Sequence, residues 1–235
     1  MKILVLVFLV LNIGISHLFS GDTKQINISV GYQKLNIKSP DKFHEVSNVY
    51  PEYKKIGEIF TPPQNLFLGM FVSETDLGYI MKGKPKELSR CMILSTLKEL
   101  KHQFMSYSKF ESSKEGMKKK ILTSLDEIVK KSNASLTEKE EKILIDYGKD
   151  FKIQIGEVKP LGILFESKNA LTIAYLIKVK ANKKDSVVVV ASSMVLIKSA
   201  YLMTFIYSDF NSQKDIDWVG KESKKWIESI QSSNQ

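Results

Sequence analysis

Short alternating runs of apolar and polar residues open the part of the chain that follows residue 22. Residues 26–30 and 35–37 alternate strictly, and Ser39, Pro40 and Asp41 come directly after the second run. Strict alternation is typical of a half-buried β-strand, and a Ser-Pro-Asp sequence is typical of a turn. The pattern therefore predicts two short strands near the beginning of the domain.

The next stretch changes character twice. Residues 43–64 contain aromatic residues together with Pro51, Pro62 and Pro63, which predicts an irregular segment with one helical turn. Residues 66–72 are then apolar at almost every position. A strand that is apolar on both faces is expected in the middle of a covered sheet.

The middle of the chain has helical spacing. Pro85 is suited to the first turn of a helix, and a stripe at intervals of three and four residues follows it, formed by Ile93, Leu97, Leu100, Phe104 and Tyr107. Such a stripe predicts a helix over 85–107 with these five side chains in the core. A second stripe begins at Met117, and Thr137 with Glu140 has capping-box spacing for a third helix. Together they predict a helical insert over 85–149.

From residue 151 the period returns to two. Apolar or alternating runs occupy 151–155, 161–165, 171–179, 187–196 and 201–207, with short polar turns between them. Loops this short connect antiparallel neighbours. A final helical stripe is formed by Ile216, Val219, Ser223, Trp226, Ile227 and Ile230. The predicted fold class is α+β, an antiparallel sheet covered by helices.

The first residues have the features of a secretory signal peptide. Lys2 is followed by an apolar stretch over residues 3–11, and small residues come after it. We therefore predict a signal peptide at 1–21 and a single exported domain at 22–235, periplasmic or secreted. An uncleaved anchor or a buried N-terminal helix is the alternative, because the apolar stretch is near the lower length limit of a membrane span.

Charge and cysteine content narrow the function classes. The 235-residue chain has a net charge of +9, and Arg90 is the only arginine among its 35 basic residues. Proteins that read nucleic acids depend on arginine for bidentate contacts, so we expect no nucleic-acid partner. Cys91 is the only cysteine; an internal disulfide is therefore excluded, and we expect a buried, unreactive thiol.

Two separated pieces of the chain resemble a known family. The strand at 187–193, the strand that ends at Tyr207 and the helix with Trp218 and Trp226 resemble the C-terminal part of the PsbP-like and DcrB-like fold. Residues 35–43, a strand, a proline-containing turn and an aromatic residue, are similar to its beginning. The resemblance implies an α/β/α sandwich and a non-catalytic binding module without a cofactor, as in extrinsic photosystem II subunits, a Ran-binding import factor and bacterial envelope proteins. The predicted insert departs from the family's compact pattern.

Candidate catalytic groups are few. His44 and His102 are the histidines outside the predicted signal peptide, and with one cysteine they do not match the ligand spacing of a zinc site. No sequence typical of a serine or cysteine nucleophile, or of a phosphate-binding loop, is present. Glu74 and Asp76 have strand spacing and could act as the paired carboxylates of a glycosidase. We expect no cofactor and no metal, and the sequence favours a protein that is not an enzyme.

Three hypotheses of function remain from the sequence. The first is an exported, non-catalytic binding protein of the bacterial envelope whose partner is another protein or envelope component. The second is an envelope hydrolase that acts on a polymer. The third is adhesion to an anionic lipid or wall polymer through lysines, which includes association with a membrane surface. The candidate binding residues are Trp218, at the edge of the last apolar stripe, and Lys118, Lys119 and Lys120.

Overall fold

A computed structural model describes residues 24–82, 88–121, 129–130, 133–134, 153–181 and 184–235. The predicted signal peptide at 1–21 and the predicted third helix around Thr137 lie outside these residues. Among the described residues, no helix has the length and apolar character needed to cross a membrane.

Most of the fold is one antiparallel sheet. Its strands are β3 (Phe43–Glu45), β4 (Asn65–Ser73), β5 (Arg90–Leu97), β6 (Ile153–Ser167), β7 (Ala170–Ala181), β8 (Lys184–Ile197) and β9 (Ala200–Asp209), in the order β3-β4-β5-β9-β8-β7-β6. A separate hairpin consists of β1 (Gln25–Val30) and β2 (Gln33–Lys38). The two predicted N-terminal strands are confirmed, and so is the antiparallel arrangement of the strands that follow residue 151. The runs at 151–155 and 161–165, expected to be separate strands, belong to one strand, β6, because register shifts keep it paired with β7 where a turn was expected.

Helices lie on both faces of this sheet. They are α1 (Pro51–Phe60), α2 (Glu74–Met81), α3 (Tyr107–Ile121) and the C-terminal α4 (Gln213–Ser232). Helix α4 begins at a capping box in which Ser212 and Asp215 satisfy each other's backbone N–H groups. The predicted α+β class, an antiparallel sheet covered by helices, is confirmed.

Each face of the sheet has its own apolar core. On one face Met70 and Ile93 of the sheet pack with Tyr53 of α1 and Phe110 of α3. On the other face the β1–β2 hairpin and α4 cover the sheet through a second set of buried residues that includes Leu35, Phe71, Met92, Leu202, Val219, Trp226, Ile227 and Ile230. Successive residues in the central strands therefore point into opposite cores, because side chains alternate between the two faces of a pleated sheet.

The predicted helix over 85–107 is wrong. Residues 90–97 form β5, which pairs with β4 on one side and β9 on the other. All six residues from Cys91 to Thr96 are buried, because both faces of the strand meet a core. In a strand that is apolar on both faces, apolar residues occur at every interval, including three and four. Such a strand therefore also matches the spacing of a helical stripe.

Two further predictions differ from the observed structure. Residues 43–64, expected to be irregular, contain β3 and the ten-residue helix α1, which begins at Pro51 as a first-turn proline allows. The second predicted helix, expected to begin at Met117, begins at Tyr107. The helical part of the predicted insert at 85–149 therefore begins after β5, and most of the remainder lies outside the described residues.

Candidate functional site

Three turns of the chain meet at one end of the sheet. The hairpin turn at Gly31 and Tyr32 rests on the loop after β5, since Gly31 N–H donates to the carbonyl oxygen of Lys101 at 3.1 Å. That loop is tied to the β8–β9 turn, because Met105 N–H donates to the carbonyl oxygen of Ser199 at 2.9 Å. The turns are therefore fixed relative to one another by backbone hydrogen bonds.

Large aromatic side chains extend into solvent from this end. Tyr32 is 70% exposed, Phe104 is 56% exposed and Tyr107 is 44% exposed. The Tyr32 and Phe104 ring centroids are 5.5 Å apart, and the His102 ring is 6.4 Å from Tyr32. Lys168 Nζ lies 5.1 Å from the centre of the Tyr107 ring. We name Tyr32, Lys101, Phe104, Tyr107 and Lys168 the aromatic–lysine tip.

The backbone holds the tip in a strained but well-supported shape. Both turn residues of the hairpin have positive φ, 58° at Gly31 and 62° at Tyr32. Only glycine fits at position 31, since a Cβ there would lie 2.7 Å from the carbonyl oxygen of Gln103. A tyrosine in the left-handed region is uncommon and costs about 1–2 kcal/mol. The strain falls on the residue whose ring is most exposed.

Apolar anchors on either side keep the tip loop in place. Leu100 and Met105, which bracket residues 101–104, are both buried. Leu100 ends the short 3-10 helix Lys98–Leu100 that follows β5. The exposure of Phe104 is thus a feature of a loop that is attached at both ends.

The turns around the tip carry an excess of positive charge. The turns that form this end, residues 31–34, 98–107, 168–169 and 198–199, contain one acidic residue, Glu99, and five lysines: Lys34, Lys98, Lys101, Lys168 and Lys198. Within the described part of the chain, no ion pair involves Lys101 or Lys168. Their charge is therefore presented to solvent at the exposed rings.

Trp218, a predicted binding residue, has neighbours on its ring. The Arg90 guanidinium carbon lies 4.1 Å from the ring centre, and the Phe43 ring centroid is 6.2 Å away. Arg90 is also 3.4 Å from an Asp215 carboxylate oxygen at the beginning of α4. The half-buried indole thus packs beneath the only arginine, on the edge of the second core. Its role in binding stays a prediction.

The predicted lysines of α3 differ from one another. Lys118 Nζ lies 2.8 Å from Glu115 and 2.6 Å from Glu166, and these hydrogen bonds raise the pKa of its ammonium group. Lys118 therefore joins α3 to the end of β6. Lys119 is exposed, and the side chain of Lys120 lies outside the described residues. Binding through these three lysines stays a prediction.

Sequence reasoning missed a fourth lysine on α3. Lys114 is buried to 3% exposure, pairs with Glu111 at 2.7 Å and donates to the carbonyl oxygens of Ser167 and Lys168 at 3.0 and 3.4 Å. It connects α3 to the β6–β7 turn, next to the tip. Position 114 is one turn after Phe110, which is the only local signal that it faces the core.

The paired carboxylates expected at Glu74 and Asp76 do not face each other. Both lie in the first turn of α2 and not on a strand, and residues two apart on a helix point about 200° apart. Asp76 is buried and accepts a hydrogen bond from the Ser73 hydroxyl at 2.7 Å, while Glu74 is exposed. The arrangement is a helix cap and lacks the geometry of a glycosidase pair.

The remaining candidate groups are also placed. His44 lies in β3 opposite Val72, and His102 is exposed at the tip. Across the described ranges, no group of three or more His, Cys, Asp or Glu side chains could hold a metal ion. Cys91 is buried and unbonded to another cysteine, as expected, and burial raises the pKa of its thiol.

The sequence contained one usable signal for the tip. Tyr32 follows a glycine between two alternating runs, which is where a hairpin turn presents a side chain to solvent. Their spacing predicts that Phe104 and Tyr107 belong to a core stripe, but both are exposed in the structure. Their exposure follows from the chain direction after β5, and spacing alone does not reveal it.

Comparisons with known proteins give similarity in structure alone. No protein-family model and no curated protein matches the chain. It is similar to a mutant of the protein Mog1, with 8% identity, a TM-score of 0.37 and coverage of 89% of this chain and 94% of that one. It is similar to the Saccharomyces cerevisiae Ran-binding protein Mog1p, with 7% identity, a TM-score of 0.33 and coverage of 90% and 94%.

A third similar structure is cyanobacterial PsbP (CyanoP) from Synechocystis sp. PCC 6803. Its identity to this chain is 10% and its TM-score is 0.33, with coverage of 91% of this chain and 93% of that one. With TM-scores below 0.5, these similarities carry no conclusion about the family or the function of this chain.

Proposed function

We propose that this chain is an exported, non-catalytic binding protein that attaches to an anionic component of the bacterial envelope through its aromatic–lysine tip. The observation that carries the proposal is the exposure of Tyr32, Phe104 and Tyr107 beside Lys101 and Lys168. Grouped exposed apolar side chains mark interaction sites on soluble proteins. Lysines around them select a partner of negative charge.

Export is supported by the pattern of residues 1–21. The test is the mass of the protein recovered outside the cytoplasm, which we expect to begin between His17 and Asp22. Replacing Leu6 and Leu9 with Lys should retain the precursor inside the cell, because charge destroys the apolar stretch that the export machinery recognises. A full-length cytoplasmic product of the unaltered chain would contradict export.

Attachment is tested by sedimentation of the mature protein with an envelope fraction. We expect most of the protein in the pellet at low salt and progressively less as the ionic strength rises towards 1 M. At that ionic strength the Debye length is about 3 Å, so attraction between exposed charges is screened. Lys101→Gln with Lys168→Gln should move the protein to the supernatant.

The matched control for charge is Lys214→Gln with Lys221→Gln. These two exposed lysines of α4 lie away from the tip, and their replacement changes the net charge equally. Equal loss of attachment in both double variants would mean that net charge, and not the tip, holds the protein on the envelope.

A further inference from the structure

We infer that the anionic component is the surface of a phospholipid bilayer, with the rings of Tyr32 and Phe104 placed in the headgroup layer and the lysines above it. The inference rests on the proposed function and adds the class of partner. Four features support it: the exposed rings of the tip, its fixed backbone, its positive charge from lysine alone, and the positions of the tryptophans and the arginine elsewhere in the chain.

The exposed rings suit the boundary between water and lipid. The Tyr32 and Phe104 ring centroids are 5.5 Å apart, so the two side chains form one continuous apolar surface. Tyrosine has an apolar ring and a polar hydroxyl, and it is enriched where a membrane meets water. Tyr107 continues the surface on the side of Lys168.

The fixed backbone lowers the cost of binding. Hydrogen bonds from Gly31 N–H and Met105 N–H tie the three turns together before any partner arrives. Little conformational entropy is then lost on attachment. Tyr32 has a left-handed backbone in a turn where asparagine or glycine would be unstrained. Strained residues of this kind are concentrated at functional sites.

The positive charge at the tip comes from lysine alone. Five lysines and one glutamate occupy the turns of this end. The ammonium group of lysine is a compact point charge that suits a diffuse anionic surface. Arginine is preferred where one carboxylate or phosphate accepts two hydrogen bonds from the same side chain. Each lysine close to an anionic bilayer raises the partition coefficient about fivefold.

The composition favours a bilayer over a protein partner. Protein interfaces are enriched in aromatic residues and Arg and depleted in Lys, so the tip shares their aromatic residues but has Lys in place of Arg. Arg90 is at the opposite end of β5 from the tip, Trp218 packs beneath it, and Trp226 is buried. A dissolved anionic polymer would attract the lysines but has no apolar layer for the Phe104 ring. A bilayer surface accommodates both.

The test is sedimentation of the mature protein with vesicles of phosphatidylglycerol and phosphatidylcholine in equal parts, and with vesicles of phosphatidylcholine alone. We expect binding to the mixed vesicles at 0.1 M salt and at least tenfold weaker binding to the neutral ones. Phe104→Ser should lower the partition coefficient about tenfold, since a partly buried ring is lost from the headgroup layer. Lys101→Gln with Lys168→Gln should lower it about 25-fold.

A matched control is Met81→Ser with Lys82→Gln. Met81 is 67% exposed at the end of α2, so this variant removes a comparable apolar side chain and one charge outside the tip. Its partition coefficient should fall less than fivefold. Equal binding to both vesicle types, no binding to the mixed vesicles, or an unaffected Phe104→Ser variant would overturn the inference.

The vesicle and envelope experiments distinguish failure of the bilayer inference from failure of the proposed function. If the tip variants detach from the envelope fraction while the unaltered protein ignores both vesicle types, the tip binds a protein or polymer and the bilayer inference is wrong. If neither the envelope fraction nor the vesicles respond to the tip variants, the proposed function is also wrong.

Discussion

Helix α4 and residues 90–107 have similar apolar spacing, yet they fold in different ways. In α4 the stripe is matched by a continuous polar face, and Trp226 is 1% exposed against the sheet. In residues 90–97 there is no polar face, and the segment becomes strand β5. Beyond it the same spacing continues to Phe104 and Tyr107, which are both exposed. Apolar spacing indicates a helix only where the other side of the segment is polar.

The largest expected effect concerns the buried side of this comparison. Trp226 packs edge-on against Phe71, with ring centroids 5.1 Å apart, and its indole N–H donates to the carbonyl oxygen of Lys38 at 3.0 Å. Trp226→Ala should lower the free energy of unfolding by about 3–5 kcal/mol, as measured by denaturant unfolding.

Exposed positions on the same helix provide the controls for Trp226. Asp217→Ala and Lys221→Ala, on the solvent side of α4, should each change the free energy of unfolding by no more than about 0.5 kcal/mol. If Trp226→Ala is as stable as Lys221→Ala, the stripe of α4 is not part of the core.

The next effect distinguishes two lysines of α3. Lys114→Ala removes a buried ammonium group and leaves the carbonyl oxygens of Ser167 and Lys168 without its hydrogen bonds, so it should cost about 1.5–3 kcal/mol. Lys118→Ala breaks ion pairs nearer the surface, where solvent screens them, and should lower the free energy of unfolding less than Lys114→Ala does. The measurement is denaturant unfolding of both variants. A larger loss of unfolding free energy in Lys118→Ala than in Lys114→Ala would contradict the structural role given to Lys114.

The hairpin turn at the tip should respond in opposite directions at its two residues. Gly31→Ala places a Cβ 2.7 Å from the Gln103 carbonyl oxygen at positive φ, and we expect a loss of about 1–2 kcal/mol. Tyr32→Asn introduces a residue that tolerates the left-handed region, and we expect a gain of about 0.5–1 kcal/mol. Thermal unfolding measures both changes, and a loss in Tyr32→Asn would show that the ring supports the fold.

The smallest expected effect concerns the exposed side of the comparison. Phe104→Ser should change the free energy of unfolding by no more than about 0.5 kcal/mol, because the ring is already in solvent. Phe110→Ala, in the same segment but fully buried, should cost about 3–5 kcal/mol. If Phe104→Ser lowered the free energy of unfolding by more than about 2 kcal/mol, the ring would have to be part of the core.

Much of the fold could be predicted because its local patterns agree with its final packing. The runs at 171–179, 187–196 and 201–207 are apolar or alternating and have short polar turns between them, and β7, β8 and β9 pair as those turns dictate. The candidate site could not be predicted in the same way. Phe104 belongs to a stripe by spacing, and its exposure depends on where Leu100 and Met105 anchor the loop.

By itself the sequence determined the antiparallel arrangement of the later strands, the apolar stripe of α4, and a positive charge that is almost entirely lysine. These follow from patterns within a few residues, such as alternation, capping and turn chemistry. Only the tertiary structure decided that β5 lies between β4 and β9, and that Tyr32 meets Phe104 across 72 positions of the chain. Contacts between distant segments depend on how separate elements pack, because both faces of a buried strand look alike in sequence.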